Sequence, residues 1–271
     1  MRSCLVDGEI ATHVPADDRG LAYGDGLFET LAVEHGHPRL WQLHMDRLAR
    51  GCERLNIPQP AQELLLREVR TVAAGPVRSL VKIQLTRGSG GRGYTPPADV
   101  VPRRIVSAHD WPDGTESDQQ NGVEAALCET RLALQPLLRG IKHLNRLEQV
   151  LAAAELAAQP GKHGILRNTE GFVIAGVSAN LFAVVGGQIL TPRMDRSGVH
   201  GVLRGLLLRE FASRAERRRI STEFLFEAEE VFFCSAIRGI VPIRAIDDRR
   251  WDIGPVTREL QVWLQEVFDR S

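Results

Sequence analysis

The sequence predicts a mixed α/β fold of the α+β kind, with two domains whose mixed or antiparallel sheets are flanked by helices. Three observations carry this. Strand-like segments outnumber helices and often follow one another directly, which excludes a doubly wound parallel sheet. The 271 residues are long for one compact domain and comfortable for two. The polar stretch WPDGTESDQQNG, residues 111–122, contains no aliphatic side chain and divides the chain. The expected parts are a smaller N-terminal α/β domain over 1–112, a linker over 113–121 and a larger C-terminal domain over 122–271.

The elements follow in order. CLVDGEIAT reads as a hairpin around Asp7-Gly8, and LFETLAVEHGHPRLW as two strands joined at His35-Gly36. From Trp41 to Leu55, Leu43, Leu48 and Leu55 recur at helical spacing with charges between them, and a second helix covers 61–74. RSLVKIQLTRG alternates as a strand, with Val81, Ile83 and Leu85 on one face and Lys82, Gln84 and Thr86 on the other. RRIVSAHD is a further strand. In the second half GVEAALCE is a strand. Residues 144–158 form a helix with Leu144, Leu147, Leu151 and Ala154 on one apolar stripe. HGILRN, GFVIA, ANLFAVV and QILTP are short strands separated by glycine or polar turns. A helix over 201–214 opens behind Gly198 and Gly201, EVFFCSA and VPIRAI are buried strands, and a helix from Pro255 to Phe268 follows.

Composition narrows the function. An apolar fraction of 43% and a charged fraction of 25% are those of a soluble globular protein. A formal net charge of zero removes the basic footprint of a general nucleic-acid binder. No window reaches signal-peptide or membrane-spanning character, so no membrane partner is expected. Four cysteines (Cys4, Cys52, Cys128, Cys234) lie far apart without CxxC spacing, which argues against a zinc site or disulfide framework and for the cytoplasm.

Only three of the 34 Lys and Arg residues are lysines: Lys82, Lys142 and Lys162. Lys162 lies in the turn sequence QPGKHG and reads as solvated. Lys82 is on the polar face of its strand, a face that is either solvated or turned into a cleft; the solvated role is the plainer reading. Lys142, in RGIKHLNRLEQV, follows Gly140 and precedes an apolar helix, where partial desolvation leaves an amine nucleophilic. Two glycines in RSGVHGVLRG open a helix whose N-terminal amides can receive a phosphate. RGSGGRGYTPP, residues 87–97, follows a strand with four glycines and two arginines, suited to close backbone approach and a carboxylate grip. DRGLAYGDGLFET contains a tight turn, and His44 with Arg47 share one helical face. Each motif has a bland counterpart: a helix-start cation, an ordinary loop-to-helix turn, a mobile surface loop, a structural pair.

Their order and spacing together resemble the fold-type IV pyridoxal-phosphate enzymes, the D-amino-acid and branched-chain aminotransferase group. YGDGLFET, HMDRL, GIKHLNRLEQV, ANLF, TPRMDRSGVHGVLR and CSAIRGIVPI carry the likeness nearly end to end. RGSGGRGY and GIKHLNRLEQV are similar to the aminodeoxychorismate lyase branch. The resemblance implies pyridoxal 5'-phosphate as cofactor, bound mainly by the C-terminal domain. Lys142 would carry it covalently and shuttle a proton at the substrate. Arg47 and the backbone N–H groups of Val202 and Leu203 would bind its phosphate, with Ser178, Ser235 and Ala236 nearby. Thr30, Arg92 and Tyr94 would face a small-molecule substrate. The implied reaction is a β-elimination giving 4-aminobenzoate and pyruvate, in a homodimer. Rivals are an aminotransferase of the same fold, a non-catalytic binder of phosphorylated ligands and, last, a nucleic-acid binder.

One departure stands out. The family carries a glutamate shortly before ANLF whose carboxylate keeps the cofactor's ring nitrogen protonated; here the aligned residue is Ala175. The nearest acid, Glu170, lies five residues earlier in the turn before the strand.

Overall fold

The computed structural model describes residues 1–269. The chain forms two compact units: Met1–Asp113 with Ile141–Asn145, and Gly114–Gly140 with Arg146 onward.

The first unit contains β1 (Ser3–Val6), β2 (Glu9–Ile10), α1 (Arg19–Tyr23), β3 (Gly26–Glu34), β4 (His37–Pro38), α2 (Trp41–Leu55), α3 (Gln62–Val72), β5 (Arg78–Thr86) and β6 (Arg103–His109). Its strands lie in the order β2-β1-β6-β5-β3-β4, each antiparallel to its neighbour. Both predicted hairpins form. Asp7 and Gly8, and His35 and Gly36, take positive φ at their tips, the conformation that tight hairpin loops need. The alternation of β5 is realised in full: Val81, Ile83 and Leu85 are buried. They sit in register with Leu31, Glu29 and Leu27 of β3. α2 and α3 cover this face with Met45, Leu48, Leu65 and Val69. Each such side chain contributes about 1.5–3 kcal/mol by leaving water. Phe28, Thr30, Lys82 and Gln84 are left on the opposite face.

The second unit contains α4 (Thr115–Asn121), β7 (Val123–Leu132), α5 (Leu147–Leu156), β8 (Lys162–Asn168), β9 (Val173–Gly176), β10 (Asn180–Val185) and β11 (Gln188–Pro192). These are followed by α6 (Val202–Glu210), β12 (Ala215–Arg218), α7 (Thr222–Phe226), β13 (Glu230–Ser235), β14 (Gly239–Ile246), β15 (Arg249–Arg250) and α8 (Pro255–Asp269). The sheet runs β12-β11-β10-β13-β14-β7-β8-β9, with β15 beside β14. It is mixed: β11 with β12, β14 with β7 and β7 with β8 are parallel. Phe182 and Phe232 stack at 5.1 Å within it.

Two expectations are corrected. The stretch expected as a linker folds as α4 within the second unit, closed by Gly122 and anchored by Gln119 Nε2 donating to the Arg238 carbonyl. The helix expected over 144–158 starts at Leu147, and its apolar stripe points outward. Leu147 is 77% and Leu151 58% exposed, and Ala154 is exposed with them. Inward go Ala152 and two carboxylates. Glu155 accepts from the N–H groups of Glu129 and Thr130, and Glu148 from that of Ala133. The two bonds to Glu155 satisfy β7 amides at an irregularity in its pairing with β8, and the bond to Glu148 satisfies the amide just after β7.

Candidate active site

The segment Ile141–Asn145 is held to β3 by backbone. Phe28 N–H donates to the Lys142 carbonyl at 2.8 Å, Leu144 N–H to Gly26 at 3.0 Å, and Asn145 Nδ2 to Gly24 at 3.1 Å. Any side chain at Gly24 would strike Asn145, and one at Gly26 would strike the Leu85 carbonyl 2.4 Å away. The glycines of YGDGLFET therefore make room for the lysine segment and for β5. The Lys142 ammonium stands 4.3 Å from the centre of the Phe28 ring.

Lys82 approaches the same ring, 5.2 Å from its centre, from β5 opposite Thr30. Burial lowers its pKa. The solvated role expected for Lys82 is thus replaced: two of the chain's three lysines converge on Phe28.

On the other face of β3 lies Glu29. Its carboxylate accepts from Arg47 Nε at 2.8 Å and lies 2.6 Å from His44 Nδ1, with Arg47 Nη2 also bonded to it. All three side chains are buried. Burial pushes the Glu29 carboxyl up, but the charge and hydrogen bonds of Arg47, joined by His44, outweigh it and hold the pKa at about 2. Burial lowers the pKa of His44. Arg47 thus sits with its guanidinium plane fixed by a glutamate that sequence reading missed.

Arg92 and Tyr94 lie in the glycine-rich loop after β5 and are exposed, Tyr94 to 87%. Tyr94 packs its ring on Tyr23, 5.4 Å between centres. Thr30 lies four residues along β3 from Gly26, the residue paired with Thr86 where β5 meets the loop.

In the second unit, Gly201 caps α6 without a side-chain bond, so the first-turn amides of Val202 and Leu203 receive no side-chain cap. A Cβ at Gly201 would fall 1.9 Å from Asn180 Oδ1, while Asn180 Nδ2 donates to the Val199 carbonyl at 3.0 Å. The turn before α6 is thereby fixed. Two residues before Lys142, Gly140 N–H donates to the Gly198 carbonyl, and His200 N–H returns a bond to Gly140. Ser178 is exposed; Ser235 ends β13 and Ala236 follows it, and Ser235 Oγ accepts from Arg238 N–H.

These residues fit a phosphate-bearing aldehyde. The first turn of α6 contains no acid. It does contain Arg204, buried, donating to Thr191 Oγ1 and the Pro192 carbonyl. Burial, with repulsion from Arg217, lowers its pKa to about 10. A cation at a helix N-terminus opposes the dipole, and an anion bound there would relieve the conflict.

Ala175 is buried on β9, paired with Leu166 and packed among Cys128, Leu166, Ile174 and Met194. Glu170 is in the turn before β9, as expected, and is ion-paired with Arg196. Neither provides a carboxylate in that apolar cluster.

Known proteins resemble this chain over most of its length. The amino-transferase class IV family model matches residues 26–246. The aminodeoxychorismate lyase of Vibrio harveyi is 36% identical over 94% of this chain and 97% of its own. The crystal structure of 4-amino-4-deoxychorismate lyase from Pseudomonas aeruginosa superposes with a TM-score of 0.92 at 44% identity, covering 97% of this chain and 98% of that one. The D-alanine aminotransferase of Staphylococcus epidermidis is more distant, 27% identical over 99% of this chain and 98% of its own.

Proposed function

Because the chain belongs to the amino-transferase class IV family, we propose that it is a pyridoxal-phosphate-dependent lyase converting 4-amino-4-deoxychorismate to 4-aminobenzoate and pyruvate, a step towards folate. The observation that carries this reading is the 44% identity, over 97% of the chain, to a 4-amino-4-deoxychorismate lyase.

When bound, pyridoxal phosphate supplies an electron sink for the carbon that carries the substrate's amine. Lys142 holds the cofactor through its amine and moves the proton at that carbon, a task closed to arginine, which does not deprotonate. Its backbone bond to Phe28 fixes where the amine starts from. Arg47, oriented by Glu29, and the amides of Val202 and Leu203 receive the phosphate, with Ser178, Ser235 and Ala236 beside them. Thr30, Arg92 and Tyr94 meet the substrate. Loss of the proton and departure of the enolpyruvyl group leave the ring aromatic, so the reaction supplies driving force that a transamination lacks.

The working form is a homodimer. The exposed stripe Leu147, Val150 and Leu151 on α5 supports this: three large apolar side chains at helical spacing form one face that water disfavours. No helix among the described residues is long and apolar enough to cross a membrane, and four buried free thiols suit a reducing cytoplasm.

Ala175 favours a second reading, a family member with weak or altered activity, because the residue aligned with the family's glutamate carries no carboxylate and Glu170 is paired with Arg196 instead. The test is release of 4-aminobenzoate from 4-amino-4-deoxychorismate with no keto acid present. Product under those conditions supports the lyase; turnover only with a keto-acid acceptor replaces it with an aminotransferase.

A further inference from the structure

The loop Gly88–Thr95 has little regular pairing of its own. Gly88, Gly90, Gly91 and Gly93 all take positive φ, so the chain turns repeatedly through conformations that glycine adopts at low cost. Glycine also has the most freedom to lose, and such a loop left alone is mobile. Its carbonyls are nevertheless gathered by one side chain. Arg19, on α1 and only 4% exposed, donates from Nη1 to Gly93 at 3.0 Å and to Gly90 and Thr95 at 3.4 Å, and from Nη2 to Tyr94 at 3.1 Å. Its Nε donates to Asp25 at 3.0 Å, and the guanidinium lies 4.9 Å from the centre of the Tyr23 ring. Asp25 is itself gripped by Arg87, whose other N–H groups reach the Leu55 and Asn56 carbonyls at the end of α2. The loop is therefore wrapped around a neutralised, buried cation tied to a helix.

We propose that Arg19 is the positioning residue of substrate recognition: its guanidinium is the core around which the Gly88–Thr95 loop folds, and it thereby fixes where Arg92 and Tyr94 are presented. The inference rests on the reading that those two residues face the substrate. Arg19 itself touches only the protein. Lysine cannot replace it, because a single ammonium has no planar fork to span four carbonyls and a carboxylate.

The test uses the full-length holoenzyme. Arg19→Lys keeps the charge beside Asp25 and removes the fork. Gly91→Ala strains the loop from outside, since its Cβ would sit 2.5 Å from the Thr95 carbonyl and 3.1 Å from Arg19 Nη1. In both variants, amide hydrogen exchange over 87–97 should rise and KM for 4-amino-4-deoxychorismate should increase, each by about tenfold, the scale of one lost charge-assisted hydrogen bond. Cofactor content and kcat should stay near the parent values. Arg92→Gln separates this proposal from the one beneath it. If that variant keeps the parent KM while Arg19→Lys loosens the loop, Arg92 does not meet the substrate and the cage stands. Unchanged exchange in Arg19→Lys, or a raised KM in Arg92→Gln with an unchanged KM in Arg19→Lys, overturns the role of Arg19.

Discussion

Glu29 and Arg47 form a buried two-point ion pair, with Arg47 Nε 2.8 Å from Glu29 Oε1 and Nη2 bonded to Oε2. Glu29→Gln keeps the shape and removes the charge. Breaking one side of a buried pair leaves the other charge uncompensated and costs about 3 kcal/mol at pH 7. The carboxyl pKa is depressed from 4.5 to about 2, so its stabilisation is complete above pH 4.5 and is lost as pH falls towards 2. Urea titrations should show the gap between parent and variant narrowing below pH 4.5. A gap that stays constant to pH 3 would assign the loss to something other than this charge.

Lys142→Ala should abolish covalent retention of the cofactor and lower lyase turnover by roughly 10²–10⁴-fold, the range for loss of a positioned proton-transfer group. Borohydride reduction followed by peptide mass measurement checks it directly. The parent should gain the cofactor's mass on the peptide containing Lys142, and the variant should gain none anywhere.

Ala175→Glu should raise side transaminase activity by about tenfold, equivalent to about 1.4 kcal/mol off the barrier. The same variant should lower the melting temperature of the cofactor-free protein, because a carboxylate is placed in the apolar cluster of Cys128, Leu166 and Met194. Added cofactor should recover part of that loss. A holo structure with another carboxylate already on the ring nitrogen would remove the basis of the prediction.

Leu147→Glu places a charge on the exposed α5 stripe, at its most exposed leucine. Light scattering after gel filtration should show the parent as a dimer and the variant shifted to monomer. Each half should keep its fold, because Leu147 is 77% exposed within the chain and supports no core.

Much of this was legible in the sequence, for reasons specific to each element. β5 was readable because one face is fully buried, so its period of two is uninterrupted at Val81, Ile83 and Leu85. α5 departs from its expected orientation because its pattern is inverted: Glu148 and Glu155 are consumed by amides in and just after β7, and the apolar stripe is left outside. α4 was hidden because composition alone, polar and rich in turn formers, does not register an anchor such as Gln119 to Arg238. In the site, HMDRL announced a paired His44 and Arg47, but their partner Glu29 lies on an earlier strand among apolar neighbours. Nothing in the spacing connects Arg19 to carbonyls more than 70 residues later. Such contacts are set by the fold, which brings α1 beside the end of β5.

The five residues Ile141–Asn145 belong to the first unit while the residues on both sides of them belong to the second. The two units are therefore not separable modules in heredity. A crossover after Asp113 would join the first unit to another parent's copy of the strip that bonds Gly24, Gly26 and Phe28, Lys142 included. Chimaeras of related chains should tolerate exchange of the 1–113 segment only when 141–145 travels with it.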